Sequence, residues 1–191
     1  HYDALNRALR LFGYEISRYE HLRSYDGLPT SKKLQMLTLE RGLPTELHAF
    51  IEEMKQTYTM EIVFAQCKPR FVHEYALSTL KAMNYKLAVA SNSIRNTVEV
   101  MMQKSMLYNY LDEILAATDV VKPKPDPEIY ITAMAKLGLT PKECLIVEDN
   151  DNGIKAAVAS GAHVLRVRDV QDVNLTNILN KIQQIEEEKA L

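Results

Sequence analysis

The stretch Leu145-Ile146-Val147-Glu148-Asp149-Asn150-Asp151-Asn152-Gly153-Ile154 decides how this chain is read. A short, mostly apolar strand runs straight into two adjacent carboxylates. A turn with a glycine follows, and then a helix begins. Two acids at the end of a buried strand are costly to desolvate unless positive charge sits beside them. A divalent cation with oxygen ligands is the usual partner. The stretch therefore points to a metal site on the carboxyl edge of a sheet.

The chain around it repeats that alternation. A helix bearing Val72, Ala76, Leu80 and Met83 leads to a strand expected over 86–90. A helix with Val98, Met101 and Met102 leads to a second strand over 112–117. Pro127 suits a first helical turn, and Gly138 a helix stop, before a third strand over 144–147. The helix after Gly153 is closed by Gly161, and a fourth strand follows over 162–167. Short apolar strands alternating with helices predict a parallel sheet covered on both faces. Upstream the periodicity is helical only: Leu5, Ala8, Leu9 and Phe12 share one face, and Leu47, Phe50, Ile51, Met54 and Tyr58 another. Thr30 or Ser31 is the expected cap of a helix between them. The expected layout is a linker and first helix start over 1–9, a helical insert over 10–70 and an α/β core over 71–191.

With 191 residues, 47% hydrophobic and 25% charged, the composition is that of an ordinary globular protein. A net charge of −2 gives no electrostatic footprint for nucleic acid or an anionic membrane, so neither is an expected partner. No apolar run approaches the ~20 residues of a membrane span, and no signal peptide is evident. Cys67 and Cys144 form no metal-type pair or disulfide framework, which agrees with a cytoplasmic home. There is no Gly-x-Gly-x-x-Gly and no Walker loop, so dinucleotide binding and P-loop chemistry have no support.

In a doubly wound sheet, ligands bind beyond the carboxyl ends of the strands. Three such ends carry reactive groups here. The first ends in Ser91-Asn92-Ser93, whose hydroxyl and backbone N–H groups suit a phosphate oxygen. Past the second comes Lys122-Pro123-Lys124-Pro125-Asp126, where Lys122 offers a fixed positive charge and Lys124 reads as solvated. Asp126 either orients that loop or caps the next helix. The third end carries Glu148 and Asp149. Hydroxyl, ammonium and metal-binding carboxylates around one anion suit phosphoryl transfer, in which positioning and charge neutralisation dominate. Each signal alone has a plain alternative: a helix cap, a solvated loop, or acids at a helix start.

In this order, Ser91-Asn92, Lys122-Pro-x-Pro-Asp126 and Glu148-Asp149-x-x-x-Gly153-Ile154 resemble motifs II, III and IV of the haloacid dehalogenase-like (HAD) superfamily. The resemblance is closest to the phosphatase and β-phosphoglucomutase-like branch and runs over nearly the whole chain. It implies a Rossmann-like parallel-sheet core with a helical cap domain, and a small phosphorylated metabolite as partner. It implies that Ser91 and Asn92 hold the phosphoryl group, that Lys122 neutralises it, and that Glu148 and Asp149 hold Mg²⁺. It also implies that Asp26-Gly27-Leu28-Pro29-Thr30 faces the substrate. Thr30, Lys32 and Lys33 are then candidate specificity residues, a solvated helix face being the alternative for the lysines.

The family's first motif, Asp-x-Asp-Gly, is not in this sequence, and Asp26-Gly27 lies between helices rather than after a strand. By resemblance that motif supplies the aspartate nucleophile and a central strand. The strand lies between those ending at Ser91 and Glu148. With neighbouring strands ~4.8 Å apart, its absence leaves a slot of roughly 10 Å. The expectation is that the natural chain is longer, or that another chain supplies the strand. The strands ending at Ser91 and Glu148 should then not pair directly, and residues 1–191 alone should not turn over. A Mg²⁺-dependent phosphatase is the leading expectation. A sugar-phosphate mutase and a non-catalytic ligand- or protein-binding module are the alternatives.

Overall fold

Between Cys67 and Lys68 the chain divides into two compact units. The computed structural model describes residues 1–190, with side-chain surroundings described through Glu188.

The first unit is helical. Helix α1 (Tyr2–Arg10) is followed by α2 (Arg18–Glu20), a π-turn (His21–Tyr25), α3 (Thr30–Arg41) and α4 (His48–Gln66). Their apolar stripes meet in one cluster. Leu5, Ala8 and Leu9 come from α1, Leu34 and Leu37 from α3, and Ile51 from α4, with Ile16, Tyr25 and Leu43 from the connections. Each fully buried side chain of this size stabilises by about 1.5–3 kcal/mol. Residues 1–9 belong to this unit, because α1 packs chiefly on α4. Asn6 fastens the connection after α1. Its amide donates to the Ile16 carbonyl at 2.8 Å and accepts the Ile16 N–H at 2.9 Å. The expected side-chain cap at Thr30 or Ser31 is absent: Thr30 already opens α3, and Pro29, which precedes it, has no side-chain acceptor.

The second unit alternates helix and strand: α5 (Phe71–Ala82), β1 (Ala88–Ala90), α6 (Arg95–Lys104), β2 (Glu113–Leu115), α7 (Glu128–Leu137), β3 (Leu145–Glu148), α8 (Asp151–Ala159), β4 (His163–Arg166) and α9 (Leu175–Ala190). Both strand pairs are parallel, with Ala88 opposite Glu113 and Leu145 opposite His163. Among the described residues β1 pairs with β2 and β3 with β4, and β1 does not pair with β3. A common core lies across both pairs. Leu115, Ile129, Tyr130, Ala133, Met134, Ala156 and Ala157 are buried, with Ala90, Ile146 and Val164 against them.

Strand β1 is shorter at its start than the apolar pattern predicts. There the Asp112 carboxylate accepts the Leu87 N–H at 2.7 Å and replaces a ladder bond with a side-chain one. Helix α8 begins at Asp151 rather than after Gly153. Asn150 caps it by accepting the Asn152 N–H, which draws Gly153 into its first turn. No described helix is long and apolar enough to cross a membrane.

Candidate active site

Glu148, the last residue of β3, is the hub of the carboxyl rim. Its Oε2 accepts from Lys124 Nζ at 2.8 Å and from the Tyr130 hydroxyl at 2.6 Å. Its Oε1 accepts from the backbone N–H groups of Asp149 at 3.2 Å and Asn150 at 3.1 Å. A carboxylate offers about four lone-pair sites, so these donors fill it. Burial alone drives its pKa up, but the Lys124 charge and the hydrogen bonds from Lys124, Tyr130 and Asn150 outweigh burial. The net shift is below the ordinary carboxylate range, so Glu148 is ionised at neutral pH. Burial, and then the Glu148 contact, push the Tyr130 phenol well above its usual value and keep it a donor.

The lysine at this rim is Lys124, not Lys122. Lys124 is 8% exposed. Its ammonium bonds Glu148 and, at 3.0 Å, the Ala90 carbonyl at the end of β1. It also lies 4.7 Å from the Tyr130 ring centroid. One ammonium thus spans the ends of β1 and β3. Lys122 is exposed, which corrects the expectation that it supplies the fixed charge at the rim. The physical cause is how the loop is gripped. Glu128 accepts the backbone N–H groups of both Val121 and Lys122 at 2.9 Å, holding that end of the loop by its main chain. Asn92 grips Lys124 through its backbone, accepting its N–H at 3.1 Å and donating to its carbonyl at 3.3 Å. Asp126 caps the next turn by accepting the Glu128 N–H at 3.0 Å.

Ser91 and Asn92 continue β1 to the same rim. The Ser91 N–H bonds the Leu115 carbonyl at 2.9 Å and extends the ladder by one step. Its hydroxyl oxygen accepts the Ser93 N–H at 3.1 Å, which leaves the hydroxyl hydrogen to donate. Asp149 follows Glu148 and is exposed. Asp151 pairs with Arg166 at 2.7 Å, both well exposed. Gly153 faces Glu148 so closely that an added Cβ would lie 2.1 Å from the Glu148 carboxyl carbon.

Among the described residues no group of three or more His, Cys, Asp or Glu side chains is arranged to hold a metal ion. The rim offers a pair, Glu148 and Asp149. Mg²⁺ is commonly held by one or two carboxylates, with water and substrate oxygens completing the shell, so Asp149 fits as its ligand, while Glu148 is filled by protein donors. Of the pair, the Glu148 oxygens are already engaged and Asp149 is the more exposed.

The candidates in the helical unit differ among themselves. Lys32 is exposed, Thr30 is half-buried, and Lys33 is buried. Burial pushes the Lys33 ammonium down to about 8, against an opposing pull from Asp26.

Tyr130 was not expected at the site. Its one signal is a phenol on the buried stripe of α7, where the hydroxyl must find a partner. Lys124 carried a better signal, since Lys124-Pro125-Asp126-Pro127 is itself a Lys-Pro-x-Pro.

A parallel-strand α/β core carries a lysine, a hydroxyl and paired carboxylates at the strands' carboxyl ends. The family model for haloacid dehalogenase-like hydrolases matches residues 1–167, and the chain belongs to that family. It is 43% identical over 84 residues to a haloacid dehalogenase-like hydrolase domain-containing protein of Arabidopsis thaliana; the match takes in 42% of this chain and 27% of that protein. It is 25% identical over 164 residues to the phosphorylated carbohydrates phosphatase of Thermotoga maritima, taking in 84% of this chain and 74% of that one. Among solved structures, the β-phosphoglucomutase of Clostridium difficile superposes with a TM-score of 0.81 at 22% identity, covering 100% of this chain and 91% of that one. That likeness bears on the fold.

Proposed function

We propose that this chain forms the phosphate- and metal-binding part of a Mg²⁺-dependent phosphatase acting on a small phosphorylated metabolite, a phosphorylated sugar in the first instance. The observation that carries the proposal is the Lys124 ammonium, shared between the end of β1 at Ala90 and the Glu148 carboxylate at the end of β3. A positive charge fixed at that rim, one residue from Ser91, is what an incoming phosphoryl group requires. The phosphatase named among the relatives supports the substrate class.

In this reading Ser91 donates its hydroxyl hydrogen to a phosphoryl oxygen, and Lys124 neutralises the phosphoryl charge. Asn92 holds Lys124 through the loop backbone. Glu148 and Tyr130 orient the ammonium. Asp149, with Glu148 beside it, would hold Mg²⁺, which supplies charge neutralisation on the phosphate. By the resemblance to the family, the nucleophile is proposed to be an aspartate on a strand seated between β1 and β3, which do not pair with each other among the described residues. Residues 1–191 alone should therefore not turn over. A mutase on a sugar phosphate is the second reading, favoured by 34% identity over 91 residues to the β-phosphoglucomutase of Bacillus subtilis.

The test is phosphate release from a panel of sugar monophosphates, with and without Mg²⁺. It is run on residues 1–191 and on the protein read upstream of His1 in its genomic frame. Mg²⁺-dependent release by the longer protein, abolished in Lys124→Met and absent from residues 1–191, is the expected result. No release by either, with an Asp-x-Asp-Gly in frame, would defeat the phosphatase reading. Release by residues 1–191 alone would defeat the placement of the nucleophile.

A further inference from the structure

We infer that the turn from His21 to Asp26 is an acid-released latch: protonation of His21 opens it and frees the loop that follows. His21 is the first residue of the π-turn (His21–Tyr25), and Asp26 caps its end. The Asp26 N–H closes the turn by donating to the His21 carbonyl at 2.8 Å. The His21 side chain is 5% exposed, and neither ring nitrogen has a hydrogen-bond partner among the described residues. Its Nδ1 stands 3.8 Å from Asp26 Oδ1, too far for a hydrogen bond. The Tyr2 ring meets the imidazole edge-on at 5.0 Å and 74° and blocks it from sinking further. Tyr2 is itself held, its hydroxyl donating to the Ile16 carbonyl at 3.0 Å. Leu22, Arg23 and Ser24, which follow His21, are exposed, so the way out is toward solvent.

A neutral imidazole carries one N–H; a protonated one carries two and a full charge. In this seat neither N–H meets an acceptor, and a buried charge without hydrogen bonds is costly. The charged groups around the ring do not offset that cost. Arg18 of α2 lies over the same Tyr2 ring, its guanidinium carbon 5.1 Å from the centroid. Arg18, Lys33 of α3 and the amino group at His1 all oppose a positive imidazole, and Asp26 favours one. Burial is the largest effect, and the net direction is below the ordinary histidine value. Neutral His21 therefore stabilises the closed turn above its unfolded value of about 6.5, and that contribution is lost as pH falls through the lower folded value. Protonated, the side chain finds its hydrogen bonds in water, and its departure pulls the first residue out of the turn. The loop 26–29 runs from that turn straight into α3, so it loses its anchor on one side. The latch uses only the helical unit's residues and does not depend on the reaction proposed for the strand rim.

The experiment is amide hydrogen exchange of residues 1–191, corrected for the intrinsic pH dependence and read at Asp26, with Ile51 of α4 as the control. From about pH 7.5 to about pH 5.5 the protection of the Asp26 amide is expected to fall about tenfold while that of Ile51 holds. In His21→Phe the Asp26 protection should no longer respond to pH. An NMR titration of the His21 ring gives a second test that does not depend on that variant folding. Its midpoint should lie below about 6.5, and lower still in Asp26→Asn, a change at an exposed position. Asp26 protection that holds or rises on acidification, or that falls equally in His21→Phe, would overturn the latch. A His21 midpoint at or above the ordinary value, or one unmoved in Asp26→Asn, would overturn it as well.

Discussion

Four hydrogen-bond donors meet on the Glu148 carboxylate, and a glycine makes room for it. The side chain is flexible in isolation, but Lys124, Tyr130 and two backbone N–H groups pin it in place. A methyl group at Gly153 would fall 2.1 Å from its carboxyl carbon and 2.2 Å from Oε2. Two effects oppose each other in Gly153→Ala. Alanine in helix α8 gains about 0.8–1 kcal/mol of propensity. Overpacking a well-packed site costs about 1–3 kcal/mol, and here it also displaces a buried charge from its partner. Gly153→Ala is therefore expected to lower stability by about 1–2 kcal/mol, read as a lower urea midpoint with an unchanged slope. An unchanged or raised midpoint would show that Glu148 is not held as described. The same residue scale shows what could be read from sequence and what could not. Glu148 and Asp149 stand out because acids after an apolar strand are unusual. Lys122 and Lys124 do not separate by spacing, because each begins a Lys-Pro-x-Pro. Only the grip of Glu128 on one end of the loop and of Asn92 on Lys124 separates them.

Between elements, the start of the β1–β2 pair is held by one carboxylate. Asp112 accepts two bonds from Lys81 of α5, at 2.8 and 2.9 Å, and the Leu87 N–H just before β1. Its pKa is held down by the Lys81 hydrogen bonds first and the Leu87 N–H second. A carboxyl depressed in the folded state contributes stability above its unfolded value of about 3.9, lost as pH falls through the folded value. Being partly exposed, the group contributes little, about 1 kcal/mol or less. Asp112→Asn should accordingly lower stability at pH 7 by that amount and flatten the loss of stability below about pH 4. Thermal melts from pH 7 to pH 2.5 would check this. A variant whose acid limb matches the wild type would contradict the assignment. The apolar periodicity reveals these elements but not their ends. Side-chain bonds such as that of Asp112 to Leu87, and caps such as Asn150, set the boundaries, and no hydrophobic pattern encodes them.

At the scale of the whole molecule, the second unit holds two parallel strand pairs over one core, with Lys124 reaching the ends of β1 and β3. The parallel architecture was legible because apolar strands alternate with helices. The separation of the pairs followed from the resemblance rather than from any pattern in residues 71–191. Lys124 is the charge proposed to hold the phosphate. The most direct measurement is an amide NMR titration of residues 1–191 with inorganic phosphate and Mg²⁺, read at Ser91 and Asn92 in Lys124→Met and Lys122→Met. Saturable shifts at both amides are expected, surviving in Lys122→Met and vanishing in Lys124→Met. Shifts that survive in Lys124→Met and vanish in Lys122→Met would contradict it.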